Sequence, residues 1–407
     1  MLSPVEQQPA DSSSMPVRAI LPLALVTCTS MLAMDLVLPA VPSLQIALGI
    51  DVTRAQATVS VFLVGLAASQ LLWGEALTRF GPRRCVRLGV WLLVAASVGC
   101  AVARNIEELL ALRLLQGLAA GAAPVVVSTV VRATLSGTDA VKGMAAIAIV
   151  ESIVPAIGPI LGAILLLHSD WRGLFWVLGA VTLLVLPFVV RATPVELPGL
   201  DRAIRAGYLS IFAQRRYVRL ALSHALAMGA LLTFVASAPQ LMVQTSSAAT
   251  SAFALLQVLG VAAFAGVASQ AGRISRAIGP PRAVQLGALL QMLACAALLL
   301  ASCVAALSFA EVAAFWCVFC GALAVRGPSA FSEALALPTA QIGRASAMLV
   351  LGILLAGALG TQVVAPFMDG PSGTPLALGM LGLGIASLLL IVPYPEPQSR
   401  EEHRLQC

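Results

Sequence analysis

Four charged residues stand inside apolar runs, where charge is costly. They are Asp35 in "LAMDLVLPAVPSL", Arg113 in "RLLQGLAAG", Glu151 in "IVESIVPAIGPILGAI" and Arg326 in "AVRGPSAF". A carboxylate in the middle of a hydrocarbon-facing helix costs about 2.5–3.5 kcal/mol on insertion scales. Desolvation raises a carboxylate's pKa, and a nearby guanidinium or bound cation lowers it. An acid in a cavity that is alternately wet and dry can therefore load a proton on one side and release it on the other. The competing reading of Asp35 is structural, as the cap of a helix broken at Pro39 or Pro42. Arg113 cannot lose its charge. It faces a polar cavity or a carboxylate, or it snorkels to the surface about one to two turns away. Glu151 is a second titratable candidate with a structural alternative. Arg326 reaches the surface, pairs with Glu333 or faces the same cavity, while Glu311 reads as an interfacial residue.

The elements that must position these groups are membrane spans. The chain has 407 residues, 59% hydrophobic and 10% charged, whereas a soluble domain carries roughly 25% charged residues. Windows of about 19 residues find twelve apolar segments: 20–46, 55–77, 85–103, 108–131, 141–167, 172–190, 217–243, 250–271, 282–302, 308–332, 344–368 and 374–393. We number them spans 1 to 12. This predicts an all-α membrane protein with two six-helix halves, 18–190 and 217–394, joined by a cytoplasmic linker at 191–216. The polar stretch 1–17 reads as a disordered cytoplasmic tail rather than a signal peptide, and 395–407 as a second cytoplasmic tail.

Charge orients the chain. With the N-terminus inside, 19 of the 24 Lys and Arg residues fall in inner segments, three in outer loops, and two (Arg113 and Arg326) inside spans. By the positive-inside rule both termini are cytoplasmic. The basic balance is thus a topology signal, and nucleic acid is not needed to explain it. The loop after span 2, "GPRRCVRLG" from Gly81 to Gly89, returns after span 8 as "GPPRAVQLG" from Gly279 to Gly287, 198 residues later. Two parallel repeats of six spans place a site between them near the midplane.

Twelve spans in two parallel halves resemble the major facilitator superfamily, and several motifs sharpen the likeness. "GEALTRFGPRR" (Gly74–Arg84) is similar to its loop 2–3 signature, with Gly74, Arg79, Gly81 and Arg83 matching and Thr78 where the family has Asp. In the family this loop latches the halves together on the cytoplasmic side. Without the Asp a weaker latch is expected, with Glu75 as a partial replacement; a purely topological basic loop is the plainer reading. "RLLQGLAAG" resembles the span 4 signature R-x-x-Q-G, and Gly117 and Gly121 also allow close helix packing. Gly158, Pro159 and Gly162 resemble the span 5 motif of drug/proton antiporters, with Val154 in place of one glycine. They read as a hinge or seal, since missing side chains and a missing N–H permit a kink and tight contact. "MDLVLPAVP" is similar to the span 1 motif of the Bcr/CflA-type exporters, among which the multidrug facilitators and chloramphenicol exporters are the most alike.

The resemblance implies a proton-coupled antiporter that exports lipophilic or cationic drugs from the cytoplasm. It implies an inner-membrane location, a monomer, and no cofactor beyond the proton. Asp35, Glu151 and Arg113 would couple to protons. Met31, Met34, Phe62, Gln116, Phe234, Gln257 and Arg326 would line the cavity, although Met and Phe serve equally as packing. Rival readings are a facilitator for one metabolite, or a membrane receptor or enzyme. The last lacks a nucleophile–base pair, a metal cluster or a phosphate loop. Cys317 and Cys320 form a C-x-x-C, read as two small residues one turn apart rather than a redox or metal pair, and no disulfide framework is implied.

Overall fold

The computed structural model describes residues 20–135, 137–197, 209–368, 370 and 372–394. Of the side chains between 137 and 152, only that of Ile147 and the glycine at 143 are included, so Glu151 is placed by its backbone alone. The tails at 1–17 and 395–407 and the middle of the linker lie outside the described residues.

All twelve predicted segments are helical. Span 1 is Ile20–Asp35 followed by a short helix, Val41–Leu48. Spans 2 and 3 are Val52–Phe80 and Pro82–Val102. Span 4 is Ile106–Ala120 continued by Ala122–Thr134, and spans 5 and 6 are Gly137–Leu166 and Trp171–Ala192. Spans 7 to 9 are Arg215–Thr245, Ala249–Ile278 and Pro280–Val304. Spans 10 to 12 are Phe309–Ala334, Thr339–Val364 and Thr374–Leu389. Among the described residues ten helices are long and apolar enough to cross a membrane, and two further apolar helices, Ile153–Leu166 and Thr374–Leu389, are shorter.

Polar caps fix where four of the helices begin. Asp51, Asn105, Asp170 and Ser308 each accept a backbone N–H at the start of spans 2, 4, 6 and 10. A side-chain acceptor there replaces a missing helical partner. Ser308 and Glu311 form a full capping box, so Glu311 is an exposed cap residue.

The internal repeat is repeated in three dimensions. Span 1 packs on 5, 2 on 4 and 3 on 6, and the same pairs recur as 7 on 11, 8 on 10 and 9 on 12. Gly81 and Gly279, the first residues of the repeated loop, share a conformation, φ 75 with ψ 164 and φ 84 with ψ 149. A side chain at such positive φ is strained, which fixes glycine at both turns. Each is followed by a proline that opens the next helix, where its missing N–H costs nothing.

The hydrophobic core shows how the halves meet. One buried cluster is continuous across both halves, running from Ala33–Leu44 and Val52–Ala67 to Ala230–Met242 and Leu354–Met380. Toward the linker side the core divides. One cluster there belongs to spans 1–6 and residues up to Leu197, and two others belong to spans 7–12 and the chain flanking them. The halves touch along spans 2 and 11 and along 5 and 8. They are therefore fused at the end away from the linker and separate toward it.

Candidate functional site

Span 1 breaks at Asp35. Pro39 has no N–H to return to Asp35, and the chain tightens so that Val37 N–H donates to the Met34 carbonyl at 3.2 Å instead of continuing the helical register to Ala33. The Ala33 carbonyl is thereby released, and Arg113 Nη1 donates to it at 2.8 Å. The same Nη1 reaches Gln116 Oε1 at 2.5 Å, and Nε donates to the Thr58 carbonyl at 3.1 Å. Gln116 Nε2 continues to Ser97 Oγ at 2.8 Å. The Phe62 ring lies 4.4 Å from the guanidinium carbon and Phe175 5.8 Å. A cation so surrounded replaces hydration by carbonyls, an amide and ring faces.

This geometry corrects three expectations. Arg113 neither snorkels nor pairs with a carboxylate: it is fully buried, held by the Ala33 carbonyl freed by the break, the Thr58 carbonyl and Gln116, while among the described residues its Nη2 has no partner. Phe62 and Gln116 do not line a cavity in this conformation, because both are enclosed with Arg113 inside the first half. Spans 2 and 4 approach closely enough for this because Gly65 and Gly117 face the opposing backbone.

Asp35 itself turns toward span 5. It is 7% exposed, and among the described residues neither hydrogen bond nor ion pair reaches its carboxylate. Gly158 packs directly on it, since a Cβ there would lie 2.6 Å from Asp35 Cβ. Gly162 packs one turn on, against the Leu36 carbonyl and Pro39. Met31 is half-buried and Met34 nearly closed off, 9% exposed, on the same span. Glu151 lies on span 5 seven residues before Gly158, outside the described side chains.

Arg326 has the same character in the second half. It is 1% exposed and does not reach the surface. Nη1 donates to Ser387 Oγ at 2.9 Å and Gln291 Oε1 at 3.2 Å, and Nη2 to Ser223 Oγ at 2.9 Å. Glu333, one suggested partner, is instead paired with Arg216. Phe234 and Gln257 are also enclosed: Phe234 stacks on Trp316 at 4.3 Å, and Gln257 is 3% exposed on span 8. Thus Phe234 and Arg326, expected as cavity wall, lie within the second half in this conformation because aromatic and hydroxyl partners hold them there.

The loop after span 2 stays within its own half. Arg79 pairs with Glu75 at 2.9 Å, Thr78 Oγ1 donates to the Glu75 carbonyl at 2.7 Å, and Arg83 Nε donates to the Thr193 carbonyl at 2.8 Å. Glu75 is therefore already engaged by Arg79. Gly74 has open space where a Cβ would be. Cys317 and Cys320 are free thiols, and among the described residues no three His, Cys, Asp or Glu side chains converge as a metal site would require.

Sequence reasoning missed the groups that join the halves. Gln45 Nε2 donates to Gln240 Oε1 at 2.8 Å and Gln362 Nε2 to Ser60 Oγ at 3.1 Å, with Ser237 Oγ 3.5 Å from Gln56 Oε1. All lie on the side away from the linker. Neutral amides inside apolar spans were the available signal, because such groups bond across helices.

The sequence profile of the Major Facilitator Superfamily matches residues 23–361. Multidrug resistance protein MdtL of Escherichia coli O81 (strain ED1a) is 26% identical over 362 residues, covering 88% of this chain and 90% of that protein. MdtL of Shigella dysenteriae serotype 1 (strain Sd197) aligns with the same identity and coverage. Among solved structures, a peptide transporter POT in complex with sulfate superposes with a TM-score of 0.76 at 15% identity, covering 96% of each chain. A D-xylose-proton symporter gives 0.73 at 17% identity over 94% of this chain and 99% of its own. A bacterial homolog of the lysosomal transporter Spinster, in an inward-facing conformation, gives 0.72 at 14% identity over 93% and 96%. Duplicated six-span halves, a core fused at one end only and a match across most of the sequence lead to one assignment: the chain is a multi-pass membrane protein of the Major Facilitator Superfamily.

Proposed function

We propose that the chain is a proton-coupled antiporter of the inner membrane that exports lipophilic or cationic drugs from the cytoplasm by alternating access. The observation that carries this reading is Asp35, a buried carboxylate at a helix break that has no partner among the described residues. It is supported by the likeness to proteins named for multidrug resistance. The linker side is taken as cytoplasmic, since it gathers 19 of 24 basic residues. The described conformation is then closed outside and divided inside.

In this mechanism a drug entering from the cytoplasm displaces the proton on Asp35, and a proton from outside later displaces the drug. Because Arg113 is occupied by carbonyls, it leaves the acid free to exchange a proton. A membrane potential adds about 2.3 kcal/mol per charge per 100 mV to the inward step. Glu151 is the second candidate for a proton, on the same face of the mechanism but two turns nearer the cytoplasm.

The test is a drug panel on proteoliposomes with an imposed pH gradient. Wild type drives uphill uptake that an uncoupler abolishes, and Asp35→Asn, folded and inserted, does not. Undiminished gradient-driven transport by that variant would refute the assignment of Asp35. Glu151→Gln, run in parallel, reports whether the second acid shares the coupling.

A further inference from the structure

Asp35 is 7% exposed, and among the described residues nothing bonds its carboxylate, so the packing around the turn decides how far water reaches it. Arg113 approaches the same turn from span 4 but is anchored to the Ala33 carbonyl. On the opposite side, span 5 offers two glycines one turn apart, both in direct contact with the broken turn. A Cβ on Gly158 would stand 2.6 Å from Asp35 Cβ and 3.4 Å from its carbonyl carbon, with Leu32 Cδ2 at 3.5 Å. A Cβ on Gly162 would overlap the Leu36 carbonyl oxygen and stand 2.8 Å from Pro39 Cγ. Real Cβ atoms do not approach this closely, so the seat exists only because both positions lack side chains.

We infer that Gly158 and Gly162 are positioning residues for Asp35: they form a seat for the unwound turn of span 1 and thereby set how much water reaches its carboxylate. This deepens the proposed function and rests on it for the acid's role. The contact joins the span 5 motif, whose prolines Pro155 and Pro159 lie inside the helix, to the coupling acid rather than to the cargo. Few charges share this level. Arg113 is on span 4, and Glu151 stands seven residues before Gly158, about 10 Å along the helix. Counting residues along spans 6, 7 and 8 brings no charged side chain to the same height.

The experiment labels Asp35 in the purified full chain with a hydrophobic carbodiimide, which reacts with the protonated acid, and reads the extent by mass spectrometry against pH. No transport substrate is needed. Asp35→Asn identifies the labelled site. Gly158→Ala lifts the turn from its seat and admits water, and hydration favours the charged form. The labelling midpoint therefore moves toward acid by about half a pH unit or more. Gly99→Ala, which crowds only Leu112 Cδ2 at 2.7 Å, leaves the midpoint in place. If Gly158→Ala is not recovered folded, Leu32→Ala loosens the same seat without a clash and moves the midpoint the same way. A folded Gly158→Ala or Leu32→Ala protein with the wild-type midpoint overturns the seat. That result leaves the role of Asp35 standing, whereas gradient-driven transport by Asp35→Asn removes the role and leaves the seat's geometry untouched.

Discussion

The contacts that hold the far side shut lead to a quantitative prediction. Gln45–Gln240 at 2.8 Å and Ser60–Gln362 at 3.1 Å are well-formed hydrogen bonds between the halves. Gln56–Ser237 at 3.5 Å is at the limit of one and contributes little. A side-chain hydrogen bond between membrane helices is worth about 0.6 kcal/mol on average and about 1.7 at most. Gln45→Ala with Gln362→Ala therefore weakens closure by about 1.2 kcal/mol, which multiplies the population open on that side about eightfold. Double electron–electron resonance measures this with one label pair on each side. Arg104 and Val304 report the far side, and Arg84 and Arg282 the linker side, all four being exposed. The native exposed Cys303 is replaced first. In the double variant the far-side distances lengthen and the linker-side distances shorten. Unchanged distributions in both pairs would refute the role of these amides in closure. Because every group in the contact is neutral, the shift is the same at pH 6 and pH 8.

The other predictions concern the buried polar groups. Gln116→Leu leaves Arg113 without its side-chain acceptor, while Ser97 keeps its bond to the Leu93 carbonyl, so thermal unfolding falls by the equivalent of about 1–3 kcal/mol; an unchanged midpoint would show that the network is dispensable. Arg326→Met is tolerated better than Arg326→Ala, because Ser223 and Ser387 also bond one another at 2.7 Å and only the alanine variant leaves a cavity; differential scanning fluorimetry ranks the two, and the reverse order would count against this account. Asp35→Asn abolishes gradient-driven export while its gel-filtration profile stays that of wild type, and retained export would remove the acid from the mechanism.

Much of the fold was legible because hydrocarbon imposes long apolar runs. The windows found every span, and "GPRRCVRLG" with "GPPRAVQLG" announced the duplication that the packing repeats. The break at Asp35 was legible too, through Pro39 and Pro42. What could not be read was which way a charged side chain turns. Arg113 donates to the Ala33 carbonyl 80 residues away, and backbone groups freed by an irregular turn leave no mark in composition. The same holds for Phe62, Gln116 and Phe234, whose residue types suit a cavity wall or a helix interface equally. Gln45 and Gln240 illustrate a third case, because a partnership across 195 residues depends on how the halves lean together.

The repeated glycines at the ends of the duplicated loops, Gly89 and Gly287, lie against Ala122 and Arg326 respectively. The position that carries the second half's buried arginine thus carries alanine in the first, where Arg113 stands nine residues earlier, about 13 Å along the span. The twofold axis that relates the two backbones does not relate their fixed positive charges. A chimera built by exchanging spans 4 and 10 would keep its shape on paper yet strand one guanidinium among hydrocarbon and take from Gln291 the guanidinium that donates to it.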